Sequence, residues 1–404
     1  MLVARGKKTR GHETDESRYY RRAFPHSVAY AIACSRVPED ERREWVVAWR
    51  DTPDAEPSVH RHISLARPAD LMDLVARRVP VNGVHVALQG PLHGGALLFD
   101  IDYDSTGPPR TTLCTCAAGS RVVCGACWQS VAVCVKGYVH ALREHFGLHQ
   151  VLVTISGGRG VHIECHDPEC FAMSEAERRA LYDTLTRDVA LTLRNMLLGT
   201  ARDEYLWHHD GLAALDTPRH ARGGSARPPA WILDVYRRVV VPEFRANWVP
   251  RMLGAARADD VFGALQVLWV AVGEAHRECA TPRGGCTDCA LAAARPLAPV
   301  ALSASMDAAP REVSLETRGA FALLMRMMWL VPDQALLQRS HPLRLPFSVH
   351  GRTGRVAICV PPEAIHAYGP GSGNMPRAVD VLNDPTILEP HVREARRALH
   401  LTQE

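Results

Sequence analysis

Four short clusters in the sequence concentrate side chains that can do chemistry. The first, Leu98 to Asp102 (LFDID), ends an apolar run with two carboxylates at i and i+2. In a strand those positions share a face, so Asp100 and Asp102 converge while Phe99 and Ile101 turn to the core. Two carboxylates on one rigid face suit Mg²⁺ or Mn²⁺ shared with substrate phosphates. Metal-dependent glycosyltransferases use the same D-x-D pattern, and a solvated strand end would also read this way. The second cluster, Cys114, Cys116, Cys124 and Cys127, has the thiol spacing of a closed tetrahedral Zn²⁺ site that ties a loop down, with buried free thiols as the alternative.

The third cluster is Ser156-Gly157-Gly158-Arg159-Gly160-Val161-His162, directly after an apolar strand pattern. Its glycines let backbone N–H groups approach an anion, and Ser156, Arg159 and His162 offer donors to phosphate oxygens. It lacks the Walker pattern, so it is no NTPase P-loop, and a plain hairpin turn is the alternative. In the fourth, Arg344 and His350 add cationic donors and Asp333 a further carboxylate. A separate group, His276, Cys279, Cys286 and Cys289, has ligand types that would suit a second zinc ion or could be unmetallated loop residues.

Strand patterns must position these groups. Arg43 to Trp49, Val59 to Leu65, Gly83 to Gln89, Ala96 to Ile101, Gln150 to Ile155, Val161 to Cys165 and Val356 to Val360 read as strands. Residues 127–147 read as a helix, Ser174 opens a long amphipathic one, and a final helix is expected near 388–401. The organisation expected is a disordered basic tail over 1–17, a first core part over 18–200 with the cysteine loop at 114–127, a helical insertion over 201–316, and a second core part over 317–404.

Composition narrows the classes. A chain of 404 residues with 47% hydrophobic and 23% charged residues can bury a large core, which excludes disorder throughout. The longest apolar stretches are well short of a membrane span, and the basic, polar N-terminus has no apolar signal core, so an intracellular protein without membrane attachment is expected. The formal net charge is only +3, so any nucleic-acid contact must come from a local patch. Twelve cysteines in such a chain read as metal ligands and buried thiols rather than disulfides. All but three of the 47 basic residues are arginine, which a GC-rich genome or a preference for forked phosphate contacts would explain.

Taken together, the motifs resemble one family, the catalytic small subunit of archaeo-eukaryotic DNA primase. The likeness runs from FDIDYD through the four-cysteine loop ending in Cys-x-x-Cys-Trp to S-G-x-R-G-V-H. It returns at PFSVHGRTGR over 346–355, and Tyr19-Tyr20-Arg21-Arg22 and Arg43-Glu44-Trp45 resemble N-terminal elements. The resemblance implies an α+β fold, with a mixed, largely antiparallel catalytic sheet and flanking helices. It implies a DNA-directed RNA polymerase that starts primers on single-stranded DNA from nucleoside triphosphates, working with a primase large subunit and a replicative polymerase, in the nucleus if the host is eukaryotic.

By motif position, Asp100, Asp102 and Asp333 would hold two catalytic Mg²⁺ or Mn²⁺ ions. Ser156, Arg159, His162, Arg344 and His350 would bind the triphosphate, Glu44 and Arg61 would act in nucleotide binding and initiation, and the cysteine loop would hold structural Zn²⁺. Three positions depart from the pattern: Gly158 stands where many relatives carry a second basic residue, Arg344 replaces Lys, and His85 occupies an often acidic position. A repair or gap-filling polymerase of the same superfamily and a catalytically silent zinc module that binds nucleic acid are the alternatives.

Overall fold

The computed structural model describes residues 14–36, 42–49, 56–89, 95–103, 123–189, 192–193, 228–257, 260–261, 263–265, 267–268, 318–333, 342–369 and 372–401. Among the described residues, eight strands divide between two four-stranded sheets, and every pairing within them is antiparallel. With helices packed around them, the sheets give the α+β architecture that the motifs imply.

The first sheet has the order β2-β1-β3-β7, from β1 (Arg42–Trp49), β2 (Ser58–Ile63), β3 (Val84–Gln89) and β7 (Leu343–Arg344). Trp45 and Val47 of β1 are fully buried on one face. The opposite face carries Glu44 and, by register through Val46, His85 and Arg344. Three helices precede β3: α1 (Asp15–Arg22), α2 (His26–Ser35) and α3 (Pro68–Arg77).

The second sheet, ordered β4-β6-β5-β8, is built from β4 (Leu97–Asp102), β5 (Val151–Ile155), β6 (Gly160–Cys165) and β8 (Ile358–Cys359). β4 alternates as expected, with Leu97, Phe99 and Ile101 buried and Asp102 exposed. β5 and β6 are buried along their whole length, as central strands with both faces covered must be.

Helix α4 (Gly125–Phe146) packs under this sheet and ends at Gly147, whose φ of 70° makes it a left-handed C-cap. Tyr138 of α4 stacks on Trp329 at 4.4 Å, which brings in α6 (Arg318–Met328). Ser174 caps α5 (Glu175–Asp183) in a reciprocal capping box with Glu177. The following turn, Thr184–Asp188, is wound as a π-helix, so the expected long helix changes pitch there. The chain closes with α7 (Ala378–Asn383) and α8 (Glu389–Ala398).

Within the expected insertion, the described run 230–253 is helical and packs on α4, with Trp231 6.0 Å from Phe146 between ring centroids. The expected tail is described only from Thr14 onward, and α1 already starts at Asp15.

Tyr19 and Tyr20 tie the N-terminal motif to the distant PFSVH segment. The Tyr19 hydroxyl donates to the Phe347 carbonyl at 2.8 Å, and the Val349 N–H donates to the Tyr20 oxygen at 2.9 Å. Between them Phe347 sits buried at a φ of 68°, a left-handed conformation that a bulky residue adopts only when its surroundings hold it. The buried Ser348 hydroxyl accepts from the Val84 N–H at 3.1 Å, which docks the segment on β3.

Candidate active site

The site begins with the register of β4 on β6. Asp100 pairs with His162, and Asp102 with Gly160. Both carboxylates therefore stand beside the Gly-rich turn that connects β5 to β6. Gly160 leaves the Asp102 carboxylate its place, because a Cβ there would run into Asp102 Oδ1 and stand 3.5 Å from Asp100 Oδ1. Asp333 joins the pair through the backbone: its N–H donates to the Asp100 carbonyl at 2.8 Å. The structure thus brings Asp333 to Asp100 and Asp102 across more than two hundred residues of sequence.

The electrostatics of this cluster are strained. Burial, with Asp102 and then Asp333 adding negative charge, pushes the Asp100 carboxyl up to about 7, against the opposing pull of Arg344 and Arg159. Asp100 Oδ1 is buried without a hydrogen-bond partner among the described residues, and His162 Nε2 lies 3.7 Å away. A buried acceptor without a donor, amid like charges, fits a divalent cation by charge and by ligand type. Arg159 is the nearest compensation at Asp102, with Nη2 3.3 Å from Oδ2.

The Gly-rich turn is closed by the Ser156 N–H donating to the Gly160 carbonyl at 3.0 Å, with Gly157 at a φ of 82°. The loop carrying His350 lies against it. Thr353 Oγ1 donates to the Gly157 carbonyl at 2.8 Å, and a Cβ on Gly158 would sit 2.7 Å from His350 Nε2. The imidazole of His350 thus occupies space that a side chain at position 158 would need.

Arg344 is held rather than loose. Its Nη1 donates to the Asn82 carbonyl at 2.7 Å and its Nη2 to Asn82 Oδ1 at 3.2 Å. Burial lowers its pKa, while Asp100 and Asp102 act to raise it, which puts this first-sheet cation within electrostatic reach of the second-sheet carboxylates.

Three histidines are neutral here. Burial brings His162 down to about 3, against Glu164 and with Arg36 and Arg344. Burial together with Arg344, His162 and Arg36 brings His85 to about 3. Burial together with Arg344, Arg352 and Arg355 brings His350 to about 4. Neutral imidazoles donate one N–H each without adding charge, and an arriving polyanion would raise all three.

Glu44 and Arg61 meet as a pair on the first sheet, with Arg61 Nε 2.9 Å from Glu44 Oε1. Glu44 is buried and also accepts from the His62 N–H at 3.2 Å, where the backbone turns to a φ of 60°. By register, Glu44 lies one row along β1 from the His85–Arg344 row. Of the expected zinc ligands, Cys124 is the N-cap of α4 and Cys127 is buried in its first turn, while Cys114 and Cys116 lie outside the described residues. His276, Cys279, Cys286 and Cys289 also lie outside them.

Sequence reasoning missed Asn82, Thr353 and Arg36, each of which holds a site element in place. Arg36 is the clearest case. It is 1% exposed and paired with the fully buried Glu164 through Nε and Nη2, both at 2.7 Å. Glu164 is the one acid in the strand pattern VHIEC, and a buried acid requires a partner.

The comparisons with known proteins agree with this geometry. The family model for the DNA primase small subunit matches residues 99–361. The DNA primase small subunit of Saccharomyces cerevisiae is 36% identical over 87 residues, 22% of this chain and 20% of that protein. The small subunit PriS of Methanothrix thermoacetophila is 27% identical over 240 residues, 54% of each chain. That of Drosophila melanogaster is 30% identical over 157 residues, 36% of this chain and 34% of the other. The alignments therefore span between a fifth and about half of these relatives' lengths.

Proposed function

The chain belongs to the DNA primase small subunit family, and from that premise we propose that it is a primase catalytic subunit that makes short RNA primers de novo on single-stranded DNA. The observation that carries the reading is the charge-frustrated Asp100, with Asp102 and Asp333 adding to its negative charge, beside the Gly-rich turn on which the His350 loop packs.

In this reading Asp100, Asp102 and Asp333 would hold Mg²⁺ or Mn²⁺, which when bound lowers the pKa of the attacking hydroxyl and offsets charge on the leaving pyrophosphate. The protein's own groups do the rest. Arg159, Arg344 and the neutral His162 and His350 take the triphosphate oxygens, and Ser156 adds a hydroxyl. Because Arg344 is already fixed by Asn82, little freedom is lost when phosphate binds. Glu44 and Arg61 act on the nucleotide at initiation, when two nucleotides must be held together before any primer exists, so positioning is a large share of the barrier.

Cys114, Cys116, Cys124 and Cys127 would hold a structural Zn²⁺ at the start of α4, and His276, Cys279, Cys286 and Cys289 a second one. The partners are the DNA template, nucleoside triphosphates, a primase large subunit and a replicative polymerase, in the nucleus of a eukaryotic host. No helix among the described residues is long and apolar enough to cross a membrane.

The test is synthesis from labelled nucleotides on unprimed single-stranded DNA with Mg²⁺ or Mn²⁺, with and without a large subunit. Short RNA products are expected. Extension of an annealed primer with none made de novo would overturn the reading in favour of a gap-filling polymerase, and silence in both assays would leave a nucleic-acid-binding module.

A further inference from the structure

We propose that His140 and His145 of α4, together with Asp234 of the run 230–253, bind a transition-metal ion of the Zn²⁺ class that clips these two helical segments together. Nε2 of His140 lies 2.7 Å, and Nε2 of His145 3.0 Å, from the same oxygen, Asp234 Oδ2. All three potential ligand atoms fall within 4.8 Å of one another. A tetrahedral ion with bonds of about 2.0–2.1 Å holds its ligands about 3.3 Å apart, so these contacts need open only by a few tenths of an ångström.

The convergence is not a by-product of helix periodicity. Residues five apart project about 140° from each other around a helix, so the two rings meet only because both turn to the third group. Arg238 Nε donates to the other oxygen, Asp234 Oδ1, at 2.8 Å. That bond fixes the carboxylate and leaves Oδ2 facing the rings, as an outer partner of a metal ligand does. The side chains are 20%, 26% and 29% exposed, so an ion can enter and a water can take the fourth position.

A second carboxylate joins the same two segments and makes the contrast. Glu243 meets Lys136 Nζ at 2.6 Å and His366 Nε2 at 2.8 Å. An ammonium has no lone pair, so that junction can be only an ion pair. At Asp234 both partners from α4 are imidazoles, whose Nε2 is a ligand once the ring proton resides on Nδ1, and imidazole with carboxylate is a donor set that suits Zn²⁺. The site uses none of the cysteines and none of the catalytic carboxylates.

The experiment compares the full chain with a His140→Ala, His145→Ala double variant and with Asp234→Asn, which keeps a hydrogen-bond acceptor but is a poor ligand. After equilibration with Zn²⁺ and dialysis, metal content should fall by about one equivalent in each variant relative to wild type. Equal content would overturn the proposal. Co²⁺ separates this site from the cysteine sites. The wild-type minus Asp234→Asn difference spectrum should carry visible d–d bands without the near-ultraviolet thiolate charge-transfer band, and a difference made of the thiolate band would also overturn it. Zn²⁺ should raise the melting temperature of wild type more than that of Asp234→Asn, and identical shifts would count against the clip.

Discussion

Glu164 and Asp100 lie on neighbouring strands of one sheet, one row apart, and the protein treats them in opposite ways. Glu164 pairs across the sheet with Leu98, and Asp100 with His162, the residue two before Glu164. Burial alone would raise the Glu164 carboxyl, but Arg36 and His166 hold it far below the usual carboxylate range. Asp100 is the less buried of the two, yet burial beside Asp102 and Asp333 brings it to about 7. What separates them is the sign of their surroundings, not depth. One row is finished by the chain itself, while the next is left with excess negative charge, which on the proposed function a bound cation would offset.

The largest expected effect lies in the unfinished row. On the proposed function, Asp100→Ala or Asp102→Ala should lower primer synthesis by at least about a thousandfold with no loss of circular dichroism signal or melting temperature, because the cluster serves chemistry and not the fold. A variant that loses activity only by unfolding would break the contrast between the rows. Next comes the finished row. Glu164→Ala leaves a buried guanidinium uncompensated and should cost about 3–5 kcal/mol in denaturant unfolding. An Arg36→Met, Glu164→Leu double variant should recover most of that loss. If the single and double variants prove equally unstable, Glu164 matters through packing and not charge.

A smaller effect is expected where the rows meet the turn. Gly160→Ala would place a methyl against Asp102 Oδ1, the end of a flexible side chain, so the fold should survive. The carboxylate must move, and a displacement of about 1 Å in a reacting centre costs on the order of a hundredfold in rate. The measurement is the rate at saturating Mn²⁺ against melting temperature; parallel losses in both would mean that Gly160 serves packing alone.

The unfinished row was the legible one. Alternation in LFDID placed Asp100 and Asp102 on one face, and the glycines of SGGRG marked the turn that lies beside them, because strand period and turn chemistry are local signals. The strands other than β7, and the helices α4 and α8, were readable for the same reason. The division into two sheets was not, since the pairing of His85 with Arg344 joins residues far apart in sequence. Nor could the sequence pair Arg36 with Glu164, Arg344 with Asn82, or the two histidines of α4 with Asp234. A side chain that finishes a charge is chosen by tertiary contact, and spacing along the chain carries no trace of it.

The same contrast predicts opposite responses to pH. Between about 4, the ordinary carboxylate value, and about 7, the folded chain keeps a proton on Asp100 that the unfolded chain has released. The folded state then binds more protons, so this group's contribution makes stability fall as pH rises through that window and level off above it. Glu164 runs the other way: its contribution is present above the ordinary carboxylate value and is lost as pH falls below it. Asp100→Asn removes the first slope and leaves the second. In metal-free buffer it should stabilise the chain by about 1–3 kcal/mol at pH 8 and by almost nothing near pH 4. Adding Mg²⁺ or Mn²⁺ should shrink the gain at pH 8, because the cation then supplies in wild type what the amide supplies in the variant. Urea unfolding at the two pH values, with and without the ion, measures all of this. A gain that is constant with pH would mean that shape at position 100, not charge, sets the cost, and the two rows would differ only in packing.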